Sequence, residues 1–120
     1  YIGKSDLEGL EITTGERVLF KTNNSNRGFR SFYDDYVYLA PEAANYLAQT
    51  GVKLVGIDAL SVKQRGVPNN TSHTALLEKN IAILEGINLG AVEPGEYTLS
   101  ALPLAFMGID GSPVRAVLLP

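Results

Sequence analysis

His73 is the only histidine in the chain, and Glu85 follows it by twelve residues, at the end of the apolar run Ile81-Ala82-Ile83-Leu84. An imidazole and a carboxylate that converge can hold a divalent cation or move a proton. The plainer roles are a surface or satisfied core histidine and a solvated strand-end carboxylate or helix cap. The chain has no cysteine, which excludes thiolate metal sites and disulfides. Asp58, after Val55-Gly56-Ile57, reads as a buried capping acid before it reads as a catalyst. Ser61 has no base in a recognisable motif, so a nucleophilic role is weakly supported.

Aromatic and basic residues form a second group. Phe29, Phe32, Tyr33, Tyr36 and Tyr38 crowd one short stretch. Packing in the core or at a subunit interface is the expected role, and an aromatic wall of a substrate pocket is the alternative. Arg27 and Arg30 beside them could attract a carboxylate, though a solvated loop explains them as well. Arg115 sits inside an apolar run and is expected to pair with Asp110 or Asp58, or to snorkel to the sheet edge.

Several elements must position these residues. Ser5-Asp6-Leu7-Glu8 matches a capping box and predicts a helix of about two turns. Arg17 to Thr22 reads as a strand, and its consecutive Val18-Leu19-Phe20 predicts burial on both faces, as in a parallel sheet. Asn23 to Arg30 reads as a polar loop. Pro41 suits the first turn of a helix that runs to Thr50 and stops at Gly51. Val52 to Asp58 is the second strand. Lys63 to Thr71 is a loop, Ser72 caps a helix over His73 to Lys79, and Ile81 to Leu84 is the third strand. Right-handed crossovers make the three strands parallel neighbours. Tyr97 to Gly108 and Val114 to Leu119, with Asp110-Gly111 between them, predict a C-terminal hairpin.

Ligands of open parallel sheets bind beyond the carboxyl ends of the strands. Those ends carry Thr22, then Asp58 with Ser61, then Glu85. His73 joins them only if the loop 63–72 folds back over that edge.

Composition sets the outer limits. The chain has 120 residues, 45% hydrophobic and 19% charged, which fits a single α/β domain over residues 1–120. A net charge of −3 leaves no electrostatic footprint for nucleic acid. No apolar run reaches the roughly 18 residues of a membrane span. A cytoplasmic location is the default, since Tyr1-Ile2-Gly3-Lys4 shows no signal-peptide pattern. The sequons at Asn23, Asn69 and Asn70 are expected to be chance matches in Asn-rich loops. Both ends look cut, so a larger parent protein is expected.

A family pattern runs along nearly the whole chain. It covers Asp6-Leu7, Gly15-Glu16-Arg17-Val18-Leu19-Phe20-Lys21-Thr22 and Tyr38-Leu39-Ala40-Pro41-Glu42-Ala43-Ala44. It continues through Val55-Gly56-Ile57-Asp58-Ala59-Leu60-Ser61-Val62, His73 with Glu85, Asn88-Leu89 and Pro103-Leu104. It closes with Gly108-Ile109-Asp110-Gly111-Ser112-Pro113-Val114-Arg115-Ala116-Val117. With these residues in this order, the chain resembles the C-terminal portion of cyclase-family metal-dependent hydrolases, the group that includes bacterial kynurenine formamidases.

The resemblance implies a swivelling β/β/α domain whose N-terminal part is missing. It implies that His73 and Glu85 bind a divalent metal, zinc first and manganese in some members. The family's other ligands come from an N-terminal His-x-Gly-Thr-His-x-Asp-x-Pro motif, which this sequence lacks, together with the histidine-rich extension that supplies the proposed acid/base. Lys63 stands where the family commonly has an acid, so no carboxylate role is expected there. The implied parent hydrolyses a small amide, N-acyl or cyclic substrate with a metal-activated water. The isolated chain is expected to bind metal weakly, to lack turnover and to form a homo-oligomer. The competing expectation is a non-catalytic, self-associating scaffold of the same fold.

Overall fold

Three parallel strands, β1 (Arg17–Phe20), β2 (Leu54–Ile57) and β3 (Ala82–Leu84), lie side by side in chain order. This computed structural model describes residues 1–120. Between β1 and β2 run a short helix α1 (Asn24–Arg27) and the helix α2 (Pro41–Thr50); α3 (Thr71–Leu77) links β2 to β3. Two crossovers of one hand, stepping the same way along the sheet, put α2 and α3 on the same face. A hairpin of β4 (Thr98–Pro103) and β5 (Val114–Leu119) ends the chain.

Register separates the two faces of the sheet. Val18 is level with Val55 and Ile83, and Phe20 with Ile57. These side chains meet Ala43, Ala44 and Leu47 of α2 and Leu76 of α3 in one core, joined by Leu7, Leu39, Val52, Val62 and Ile81. Leu19, Gly56 and Leu84 share the opposite pleat. There the sheet, Ile87, Leu89 and the hairpin residues Val114 and Leu118 border an open groove of about 430 Å³. The expected burial on both faces holds in part: Val18, Leu19 and Phe20 are all half-buried, and Gly56 and Leu84 on the second face are buried. Both helices cover one side, and the hairpin stands off the other. Gly56 leaves room on this face for Leu19, whose Cδ2 would lie 2.4 Å from a Cβ at that position.

Local chemistry ends the elements. Pro41 opens α2, and Gly51 closes it in the left-handed conformation at φ 82°, with its N–H on the Leu47 carbonyl. The first helix is shorter than its capping pattern predicts. It is a single 3-10 turn, Lys4–Asp6, capped at Gly3, whose N–H donates to Asp6 Oδ2 at 2.8 Å. Leu7 then drops into the core and redirects the chain. Residues 24–27 form α1 rather than a loop. Ser72 lies inside α3 rather than capping it, and its hydroxyl donates to the Leu39 carbonyl at 2.9 Å. The hairpin pairs antiparallel from Thr98–Leu119 to Pro103–Val114. Asp110-Gly111 does not make a tight turn between the strands. Pro103 and Pro113 have no N–H to extend the ladder, so a long connection over residues 104–113 carries it.

Candidate functional site

Glu85 follows the last residue of β3 at the carboxyl edge of the sheet, and His73 occupies the first turn of α3. Because Ser72 anchors that turn to Leu39, the imidazole is held over the same edge. His73 Nε2 stands 3.1 Å from Glu85 Oε1. The side chains are 27% and 31% exposed, so water or a ligand can reach both. Glu85 Oε1 also accepts the Val62 N–H at 2.8 Å. His73 Nδ1 is buried and has no hydrogen-bond partner.

Chemically the pair can share a proton or a cation. Two ligands bound at about 2.0–2.1 Å to one tetrahedral ion lie roughly 3.3 Å apart, and the 3.1 Å separation fits that spacing. Imidazole nitrogen with carboxylate oxygen is also a suitable donor set for zinc or manganese. No group of three or more His, Cys, Asp or Glu side chains comes together in the chain. The residues present therefore fit a divalent ion as two of its ligands.

Asp58 belongs to a different constellation. It is fully buried, and its carboxylate accepts Thr22 N–H at 2.8 Å, Thr22 hydroxyl at 2.7 Å, Ser25 N–H at 3.0 Å and Asn24 amide at 3.4 Å. The donors come from Thr22, just after β1, and from Asn24 and Ser25 in the first turn of α1, so Asp58 is the capping acid its position suggests. Ser61 accepts the Lys63 N–H at 3.2 Å and has no base beside it. The Lys63 ammonium turns away to Asn70 Oδ1 at 2.9 Å. Arg115 makes no ion pair with Asp110 or Asp58. It is exposed on the hairpin and borders the groove.

The aromatic run joins the core only in part, through Tyr36, which packs against it. Phe29 and Phe32 are exposed, while Tyr33 and Tyr36 are half-buried around a small pocket with Asp58, Ala59 and Leu60. Arg27 lies 3.9 Å over the Tyr33 ring and pairs with Asp35 at 2.7 Å. That guanidinium holds the Asp35 carboxyl below its ordinary value. Burial raises the Tyr36 phenol above its ordinary value; a Ser61 hydrogen bond opposes the rise and the Glu85 charge adds to it.

Two groups of the site escape a reading of residue types. One is the Val62 N–H, a backbone group with no side-chain signature. The other is the Tyr36 hydroxyl, which donates to the Lys63 carbonyl. The only signal for it is a Tyr among residues where Phe would pack equally well.

Comparison with known proteins supplies the wider context. A family model described as "Putative cyclase" matches residues 2–64. A kynurenine formamidase of Bacillus anthracis is 38% identical over 119 residues, 99% of this chain and 56% of the relative. One of Salinibacter ruber is 44% identical over 109 residues, 91% of this chain and 51% of the relative. A solved structure described as a potential metal-dependent hydrolase with cyclase activity superposes with a TM-score of 0.91 at 38% identity. The match covers 98% of this chain and 57% of that one. The chain thus spans about half the length of the curated relatives it matches.

Proposed function

The chain belongs to the cyclase family, and from that premise we propose that it is the C-terminal portion of a metal-dependent hydrolase, in which His73 and Glu85 are two of the metal ligands. The substrate is a small amide, N-acyl or cyclic compound. The observation that carries this reading is the 3.1 Å approach of His73 Nε2 to Glu85 Oε1 at the carboxyl edge of the parallel sheet. The relatives described as kynurenine formamidases and the metal-dependent hydrolase structure support the reaction class.

A divalent ion held there, zinc before manganese, supplies Lewis acidity and activates water as a nucleophile near neutral pH. The chain's own residues orient the site. The Val62 N–H fixes one oxygen of Glu85, and α3 presents the imidazole. The remaining ligands belong to the N-terminal part of the swivelling β/β/α domain. We place the protein in the cytoplasm; no helix is long and apolar enough to cross a membrane.

The test uses His73→Ala and Glu85→Gln in a natural polypeptide that contains the whole chain. Each substitution should abolish hydrolysis of an N-formyl amide and reduce bound zinc, while the metal-free fold survives. Full activity in either variant would overturn the assignment.

A second reading, the self-associating scaffold, is favoured by the hairpin. Leu102, Leu104, Phe106, Met107 and Ile109 are exposed together there. Such an apolar surface suits a homo-oligomer under either reading.

A further inference from the structure

The Tyr36 hydroxyl donates to the carbonyl of Lys63, in the loop that faces Glu85. Ser61 Oγ accepts the Lys63 N–H at 3.2 Å. One residue back, the Val62 carbonyl accepts the Leu39 N–H at 2.8 Å, and its side chain is fully buried in the core. The two peptides that follow Val62 are thereby held, and they fix the direction in which the preceding peptide, Ser61–Val62, presents the Val62 N–H. That N–H points at Glu85 Oε1 at 2.8 Å.

Tyr36 is itself braced. Its ring packs on the core and meets Phe32 edge to face at 6.0 Å. Phe32 lies 4.2 Å beneath the Arg65 guanidinium, which pairs with Asp34 at 2.9 Å. This chain of contacts runs from the exposed aromatic loop to the metal-ligand carboxylate.

We propose that Tyr36 is a positioning residue for Glu85, acting through the Lys63 carbonyl and the Val62 N–H. The proposal rests on the reading of Glu85 as a ligand. A carboxylate whose oxygen is fixed by a backbone donor meets its ion in one orientation. Loss of such an outer contact typically weakens metal affinity about 10- to 100-fold.

The experiment compares wild type, Tyr36→Phe and Glu85→Gln in the 120-residue chain, with zinc alone as the probe. Calorimetry reads affinity, and amide exchange by NMR reads the Val62 N–H. Tyr36→Phe should weaken zinc about tenfold and speed Val62 exchange by a similar factor, while the β2 amides keep their protection. A merely structural tyrosine would lower protection throughout or not at all. If Glu85→Gln weakens zinc and Tyr36→Phe does not, the positioning role is overturned. If Glu85→Gln leaves zinc affinity unchanged, the ligand reading fails, and unchanged Val62 exchange in Tyr36→Phe then overturns the positioning as well. Should Tyr36→Phe not fold, the wild-type protein decides the point. A slowly exchanging Tyr36 hydroxyl proton correlated with the Lys63 carbonyl supports the proposal, and a freely exchanging one overturns it.

Discussion

Glu85 and His73 touch at 3.1 Å across the edge of the sheet, and the carboxylate oxygen that meets the imidazole is the one held by the Val62 N–H. The other Glu85 oxygen accepts no hydrogen bond in the chain, and His73 Nδ1 has no partner. The site is therefore ordered through the Val62 N–H, and it leaves one Glu85 oxygen and one buried imidazole nitrogen uncommitted.

Such a site holds a cation with two donors only, whereas a hydrolytic zinc centre uses about three protein ligands. The isolated chain should bind zinc with a dissociation constant weaker than about 1 µM and show no hydrolysis of N-formyl amides. Calorimetric titration measures the first, and His73→Ala should remove most of the remaining signal. Submicromolar affinity, or turnover by the purified chain, would sink the two-donor assignment.

Asp58 should prove the most sensitive polar position in the fold. It is fully buried and accepts four hydrogen bonds from Thr22, Asn24 and Ser25. Asp58→Ala strands those donors and should cost about 3 kcal/mol or more. Asp58→Asn turns an amide against a donor and should cost less. Urea unfolding measures both. A loss below about 1 kcal/mol for Asp58→Ala would show that water replaces the carboxylate freely.

These positions also show what the residue pattern can carry. The three strands were legible because Val18-Leu19-Phe20, Val55-Gly56-Ile57 and the 81–84 run are apolar and bounded by turn residues. Pro41 and Gly51 mark α2 to the residue. The approach of His73 to Glu85 follows from a helix start and a strand end meeting at one edge. What stayed hidden depends on long-range packing. The Val62 N–H has no side-chain signal, and the Tyr36 hydroxyl reaches 27 residues along the chain. Ser72 matches a cap pattern, but a nearby carbonyl of Leu39 takes its hydroxyl. Asp110-Gly111 matches a tight turn, but two prolines stop the ladder before the turn can close.

Tyr36 predicts a pH effect at the alkaline end. Its phenol is raised above the ordinary value, first by burial. A raised folded-state pKa means stability that is fully present below the unfolded value of 10.0 and is lost as pH rises through the folded value. Unfolding free energy should therefore fall above pH 10.0 more steeply in wild type than in Tyr36→Phe. Identical alkaline slopes would show that Tyr36 ionises as freely as an exposed tyrosine.

The hairpin should drive self-association. Leu102 is 75% exposed and Met107 93% exposed, beside Leu104 and Phe106. Light scattering should show mass rising with concentration, and the double substitution Leu102→Lys with Met107→Lys should return the chain to monomer. Since neither residue lines the groove that Glu85 borders, zinc affinity should not change. A wild-type chain that stays monomeric at high concentration would remove the oligomer from the proposal.

Gly56 tests whether the groove is open in solution. A Cβ at this position would meet Leu19 Cδ2 at 2.4 Å and Ile87 Cδ1 at 3.2 Å. Both atoms are the far ends of flexible side chains that border the groove of about 430 Å³. With that space empty, Leu19 can turn aside for a rotamer cost of about 1 kcal/mol. Replacing glycine in a strand returns about 0.5–1 kcal/mol through the unfolded chain. Gly56→Ala should therefore change stability by about 1 kcal/mol or less, whereas Gly56→Val, with two more methyl groups against Leu19, should cost about 2–3 kcal/mol. Urea midpoints at an unchanged slope measure both. If Gly56→Ala alone costs more than about 3 kcal/mol, Leu19 has nowhere to move. The groove would then be filled in solution by another copy of the chain, and the loss should shrink on dilution.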